Sequence, residues 1–240
     1  MDADISSLFD EDATPPFLAQ REFFVPAPSR DGAPTGRERA GGVILHKPVA
    51  AVLLPSDFPP LSRRRPDFGG LRHLLIRFGF MLDRLPPQHA YHSATLTVTL
   101  DDSRAVVLAQ SPSLVTTKAE TFDSSTTELS AALDRLAKLG GQRTRTTQRT
   151  HLDIRPVITA ENRGPADFGW HYQAQDDAPL LPQVESARAV IELPRDVTEL
   201  TGTLSAEAVV SFRRFGVFEK SRTLPIAPGV PFRLALGPAA

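Results

Sequence analysis

Residues 93–100 read SATLTVTL and alternate without a break. Ala94, Leu96, Val98 and Leu100 are apolar, with Thr95, Thr97 and Thr99 between them. Successive side chains of a strand point to opposite faces, so this pattern gives one apolar face and one wet face. Asp101-Asp102-Ser103-Arg104 then reads as a turn, and AVVLAQ (105–110) as an apolar return strand. A hairpin with one apolar face must bury it against another layer, so the whole chain has to supply that layer.

Most of the remaining sequence supplies strands. VILHKPVAAVLLP (43–55) has short apolar runs interrupted by Pro48, which suits a broken or edge strand. LRHLLIRFGFML (71–82) places Leu74, Ile76, Phe78, Phe80 and Leu82 on one face and His73, Arg77 and Gly79 among apolar residues on the other, the mark of a central strand. FGWHYQA, ESARAVIELP, TGTLSAEAVVSFRRFGVFEKSRTLPIA and VPFRLAL follow in the last third, separated by Pro, Gly or Asp. One helix is marked. Ser125 and Glu128 form a capping box, Leu129, Leu133, Leu136 and Leu139 make a stripe, and Gly140-Gly141 supplies the stop. The expected fold is mainly β, an antiparallel β-sandwich, with two similar β halves flanking the helix. The expected segments are an acidic, Pro-rich flexible arm (1–40), a first β half (41–122), the helix (123–141) and a second β half (142–240).

The two halves carry an echo. FGFMLDRLPPQHAYHSATLTVTL (78–100) and FGWHYQAQDDAPLLPQVESARAVIEL (168–193) each open on Phe-Gly-aromatic, cross prolines, reach Ser-Ala and end on Leu. A three-residue difference in the connecting loop separates them, and loops absorb such length changes at little cost. The echo is expected to be an internal repeat.

Composition narrows the chemistry. The chain has no cysteine, which removes disulfides, thiolate metal sites and a cysteine nucleophile. The start, MDADISSLFDEDATPPF, is acidic and lacks the cationic and apolar regions of a signal peptide. No run approaches the roughly 18 apolar residues of a spanning helix. These features lead to an expected cytoplasmic location with no membrane partner. Net charge is −1, so no overall polyelectrolyte character points to nucleic acid. Arginine, alanine, glycine and proline all have GC-rich codons, and their abundance suggests a bacterial source.

Candidate sites are few. Trp170-His171-Tyr172 gathers the only Trp, a His and one of two Tyr, and is the binding candidate; on a strand, Trp170 and Tyr172 share one face and His171 takes the other. His89 and His92 give H-x-x-H but no third ligand at a metal-site spacing, so no metal and no cofactor are assigned. Arg143, Arg145 and Arg149 share one parity of a polar segment and form a second binding candidate, for an acidic partner or a nucleic acid. The arginines lack interleaved aromatics, so nucleic acid is not the favoured partner. Phe9, Phe17, Phe23 and Phe24 in the N-terminal arm are candidate partner contacts, although for REFFVP the favoured reading is that it lies on the chain's own sheet. Paired acids at Asp101-Asp102 and Asp176-Asp177 need no role beyond turn chemistry. No nucleophile elbow, phosphate loop or dinucleotide fingerprint is present. The expected function is therefore non-catalytic: a protein-interaction or assembly protein, acting on other chains and on itself as a homo-oligomer. The alternatives are a hydrolase or transferase whose site comes from separated loops, and a nucleic-acid-binding protein using arginine clusters.

Overall fold

The computed structural model describes residues 17–26, 37–54, 69–85, 89–115, 157–175, 180, 184–214, 217–225 and 229–236. They form twelve strands in two antiparallel sheets, and no helix occurs among the described residues. Sheet A runs β1 (Phe17–Pro26), β2 (Arg37–Leu53), β3 (Leu71–Leu82), β9 (Val184–Pro194), β5 (Val106–Ser111). Sheet B runs β11 (Val217–Pro225), β10 (Glu199–Arg214), β4 (His89–Leu100), β8 (Asp167–Gln173), β7 (Val157–Asn162), β6 (Leu114–Val115). The last strand, β12 (Val230–Ala235), pairs with the Glu199–Leu204 part of β10, while β11 takes Glu207–Arg214. The fold is the expected sandwich. The segment 123–141, expected to be the helix, lies outside the described residues.

Each strand is explained by its alternation. On β4, Ala94, Leu96, Val98 and Leu100 are buried and the threonines between them are not. On β3 nearly every residue is buried, because this strand has neighbours on both sides and cover on both faces. Between the sheets lies a core centred on Phe78, Phe80, Phe168, Trp170 and Tyr172, all fully buried. Phe78 meets Phe168 at 5.8 Å and Trp170 at 5.9 Å between ring centroids, and Phe80 meets Tyr172 edge-on at 5.0 Å. Edge-to-face geometry places the positive ring edge on the negative ring face, which adds about 1 kcal/mol per pair to the burial itself.

The echo motifs face one another in this core. β3 and β8 carry the Phe-Gly-aromatic residues, β4 and β9 carry the Ser-Ala residues, and the pairs are β3 with β9 and β4 with β8. Topologically the two strand pairs therefore exchange places between the sheets. The residue register does not follow, because Phe78 is opposite Ala187 whereas the corresponding Ala94 is opposite Tyr172 and not Phe168. The register thus slips by four residues. An even slip keeps every side chain on its own face, so both motifs remain buried. A residue-level repeat is not shown.

Gly169 lies where β8 crosses β4, and a Cβ built there would stand 2.2 Å from the backbone oxygen of Leu96. At Gly79 the nearest atoms would be at 3.5 Å, an ordinary contact. Urea unfolding should therefore show Gly169→Ala losing about 2 kcal/mol or more, with Gly79→Ala within about 1 kcal/mol of the parent. Equal losses would contradict this packing.

Candidate functional site

Strand β8 decides the fate of the aromatic candidate. Asp167, Gly169 and His171 fall on its outer parity, and Phe168, Trp170 and Tyr172 on its inner parity. Trp170 and Tyr172 are 0% and 1% exposed, so neither presents a surface to a ligand. His171 is half-buried, and its Nδ1 is hydrogen-bonded to Thr95 Oγ1 at 2.9 Å across the β4–β8 ladder. The Trp170 indole nitrogen and the Tyr172 hydroxyl are buried with no hydrogen-bond partner among the described residues. Burial pushes the Tyr172 phenol well above its ordinary value, and the Glu185 carboxylate adds to the rise. Both effects penalise the phenolate.

The other candidates are dispersed. His89 is half-buried and His92 exposed on β4, and three residues apart on a strand they point to opposite faces. No group of three or more metal-ligating side chains occurs among the described residues. Asp102 serves a turn, as expected. Its Oδ1 accepts from the Arg104 backbone N–H at 2.9 Å, and its Oδ2 accepts from the Arg104 guanidinium at 2.9 Å. Those hydrogen bonds hold the Asp102 carboxyl below its usual range. Arg104 also donates to Asp196 at 3.3 Å, an exposed pair of small energetic weight. Phe17, Phe23 and Phe24 lie in β1, paired with β2 of the same chain, and Phe17 is 64% exposed. Phe9, Arg143, Arg145, Arg149 and Asp176-Asp177 lie outside the described residues.

Two polar arrangements were not anticipated from the sequence. The first joins the sheets along one flank. Gln110, on the inner side of β5, donates its amide to Gly169 O at 2.9 Å and to Glu161 O at 3.3 Å. Beside it, Val107 N–H donates to Pro165 O at 3.0 Å and Ala160 N–H to Ser113 O at 2.9 Å. This flank is sealed by backbone hydrogen bonds. The second is a set of buried polar residues on the outer face of sheet A: His46, His73, Arg77 and Arg188. His73, fully buried, stands 3.0 Å from Glu192 Oε2, its register partner on β9. The sequence signal for this set was present in the polar parity of β3, but its partners come from strands far away in the chain.

No family model and no curated protein matches the sequence. Solved structures are similar in outline. They include the NetB toxin of Clostridium perfringens in the membrane inserted form, 6% identical with a TM-score of 0.35, covering 90% of this chain and 94% of that one. Clostridium perfringens delta-toxin is 8% identical with a TM-score of 0.36, covering 90% and 89%. A chain described as a pore forming protein is 5% identical with a TM-score of 0.36, covering 89% and 94%. The expected cytoplasmic location is withdrawn, one of the structures similar in outline being in a membrane inserted form. That expectation had rested on the acidic start and on the lack of an apolar run long enough for a spanning helix. No helix among the described residues is long and apolar enough to cross a membrane, but a β-barrel crosses with strands and needs none. The expectation of no membrane partner rested on the same point and is carried no further.

Alkaline titration tests the tyrosine environment. Of the two tyrosines, Tyr172 should stay un-ionised while the chain is folded, read as missing phenolate absorbance that appears on unfolding. The sign follows from linkage. A raised folded-state value gives stability that is complete below the ordinary value of 10.0 and declines as pH climbs from there toward the folded value. Full phenolate absorbance from a folded chain just above pH 10.0 would exclude the buried placement.

Proposed function

We propose that the chain is a non-catalytic β protein that works by assembling with other protein chains, a second copy of itself first among them. The observation that carries this reading is the difference between the two flanks of the sandwich. One flank is closed by Gln110 and the backbone bonds around it. On the other flank, β1 and β11 end their sheets, each paired on one side only among the described residues. A strand paired on one side offers a row of N–H and C=O groups to another chain, and proteins that avoid such contacts shorten, charge or kink their edges. β1 is ten residues long and begins with the exposed Phe17. The aromatic residues that would have served a ligand pocket, Trp170 and Tyr172, are instead committed to the interior.

The chain between β6 and β7, residues 116–156, leaves and returns at neighbouring points of sheet B, where Val115 pairs with Ile158.

Native mass spectrometry over a concentration series should show multiples of the 26.1 kDa chain. Phe17→Lys/Gln20→Lys, which charges the free edge of β1, should weaken self-association about tenfold or more. A wild-type chain that stays monomeric throughout would remove self-assembly. The same preparation, passed over heparin and mixed with dye-loaded vesicles, separates the other partners: salt-sensitive retention favours nucleic acid, and dye release favours a membrane.

A further inference from the structure

Two hairpins outrun the sandwich at one corner. In sheet A, β3 ends at Leu82 opposite Val43, but β1 and β2 stay paired from Phe23 with Gly41 to Pro26 with Arg37. In sheet B, β4 begins at His89 opposite Phe212, while β10 and β11 continue to Arg214 with Val217. Tyr91 sets the two ends at one level. It lies opposite Val210 on β10, and its hydroxyl donates to Gly42 O at 3.0 Å and accepts from Gly42 N–H at 3.2 Å. Past these ends each pair is a ribbon of two strands among the described residues, on the flank away from Gln110. A ribbon of two strands gains little stability alone and has no third strand to cover it.

The corner and the N-terminal segment carry opposite charge. Along the two hairpins, Arg30, Arg37 and Arg39 stand against Asp31 and Glu38, and Arg213, Arg214 and Lys220 against Glu219. Residues 1–16 hold Asp2, Asp4, Asp10, Glu11 and Asp12, and the first basic residue of the chain is Arg21. Leu8 and Phe9 sit among these acids as Phe212 and Phe218 sit among the bases, so apolar contact can accompany charge pairing.

Reach decides whose segment fits. Phe17 is paired with His46, four residues from Gly42 on β2, and Arg214 lies four residues past Val210 on β10. That run of strand, with one step from sheet to sheet, sets Phe17 and Arg214 of one chain about 29 Å apart. Asp12, Glu11 and Asp10 precede Phe17 by five to seven residues, which extended chain spans in about 18 to 25 Å. A second copy has no such limit. A two-fold axis across this flank, perpendicular to the strands, runs the partner's β1 antiparallel to β1. The partner's Phe17 then stands level with Pro26, and the segment before it emerges at the corner.

We infer that the corner made by the β1–β2 and β10–β11 hairpins is the docking site for residues 1–16 of a second copy, whose acids pair with Arg213 and Arg214. The inference rests on the self-assembly proposed above and gives it a specific contact, made twice by symmetry.

Charge exchange tests it. In native mass spectrometry, Arg213→Glu/Arg214→Glu and Glu11→Lys/Asp12→Lys should each weaken self-association about tenfold or more. Mixing the two variants, or combining all four substitutions in one chain, should restore most of it, which a misfolded variant does not do. A wild-type chain that stays monomeric removes the assembly reading and this inference with it. A wild-type chain that assembles with an affinity indifferent to these charges overturns this inference alone. Heparin retention lost in Arg213→Glu/Arg214→Glu, with association untouched, assigns the corner to nucleic acid and also overturns it. The absence of cysteine adds a direct measure. Chains carrying Ser7→Cys and Ser221→Cys, mixed and mildly oxidised, should form a disulfide between copies. Its yield should be about tenfold above Ser7→Cys mixed with Thr99→Cys, where Thr99 is exposed on sheet B. Equal yields, or a bond closed only within a doubly substituted chain, would overturn the docking.

Discussion

The contact of Phe78 with Phe168 and Trp170 organises the molecule. These rings come from the middle strands of opposite sheets, and they fix how the sheets meet. Once they interlock, β3 must present its even-numbered residues inward along its length, and β9 must match them in register. The outer parity of both strands then follows. The register of Arg77 opposite Arg188 is thus a result of the aromatic packing, and the sheet cannot slip by one residue without turning Phe78 out of the core.

The alternation of SATLTVTL gave the wet and dry faces of β4 correctly because a strand's two faces are encoded every second residue. The central position of β3 was equally legible, since His73, Arg77 and Gly79 interrupt an otherwise apolar face. The Phe-Gly-aromatic echo marked the two inner strands, but the register between them was not readable. Register depends on cross-strand partners that are distant in the chain, and the two copies differ by four residues.

The site was legible only in its negative part. Parity alone separates Trp170 and Tyr172 from His171, and the structure places the first two in the interior. It could not show that Gln110, unremarkable in AVVLAQ, would bond to Gly169 and Glu161 across the sandwich. Nor could it show that arginines 111 residues apart would become neighbours. Both facts arise from pairing of strands far apart in sequence, and local pattern carries no trace of that.

The seal around Gln110 makes the sandwich mechanically one-sided. Separating the sheets at the β5–β7 flank breaks a buried side-chain amide and several backbone bonds together. At the β1–β11 flank the strands can leave one at a time, each giving up a single ladder. Thermal opening should therefore travel like a hinge with its pin at Gln110. The edge offered to a partner is the part of the fold that is easiest to part from the rest.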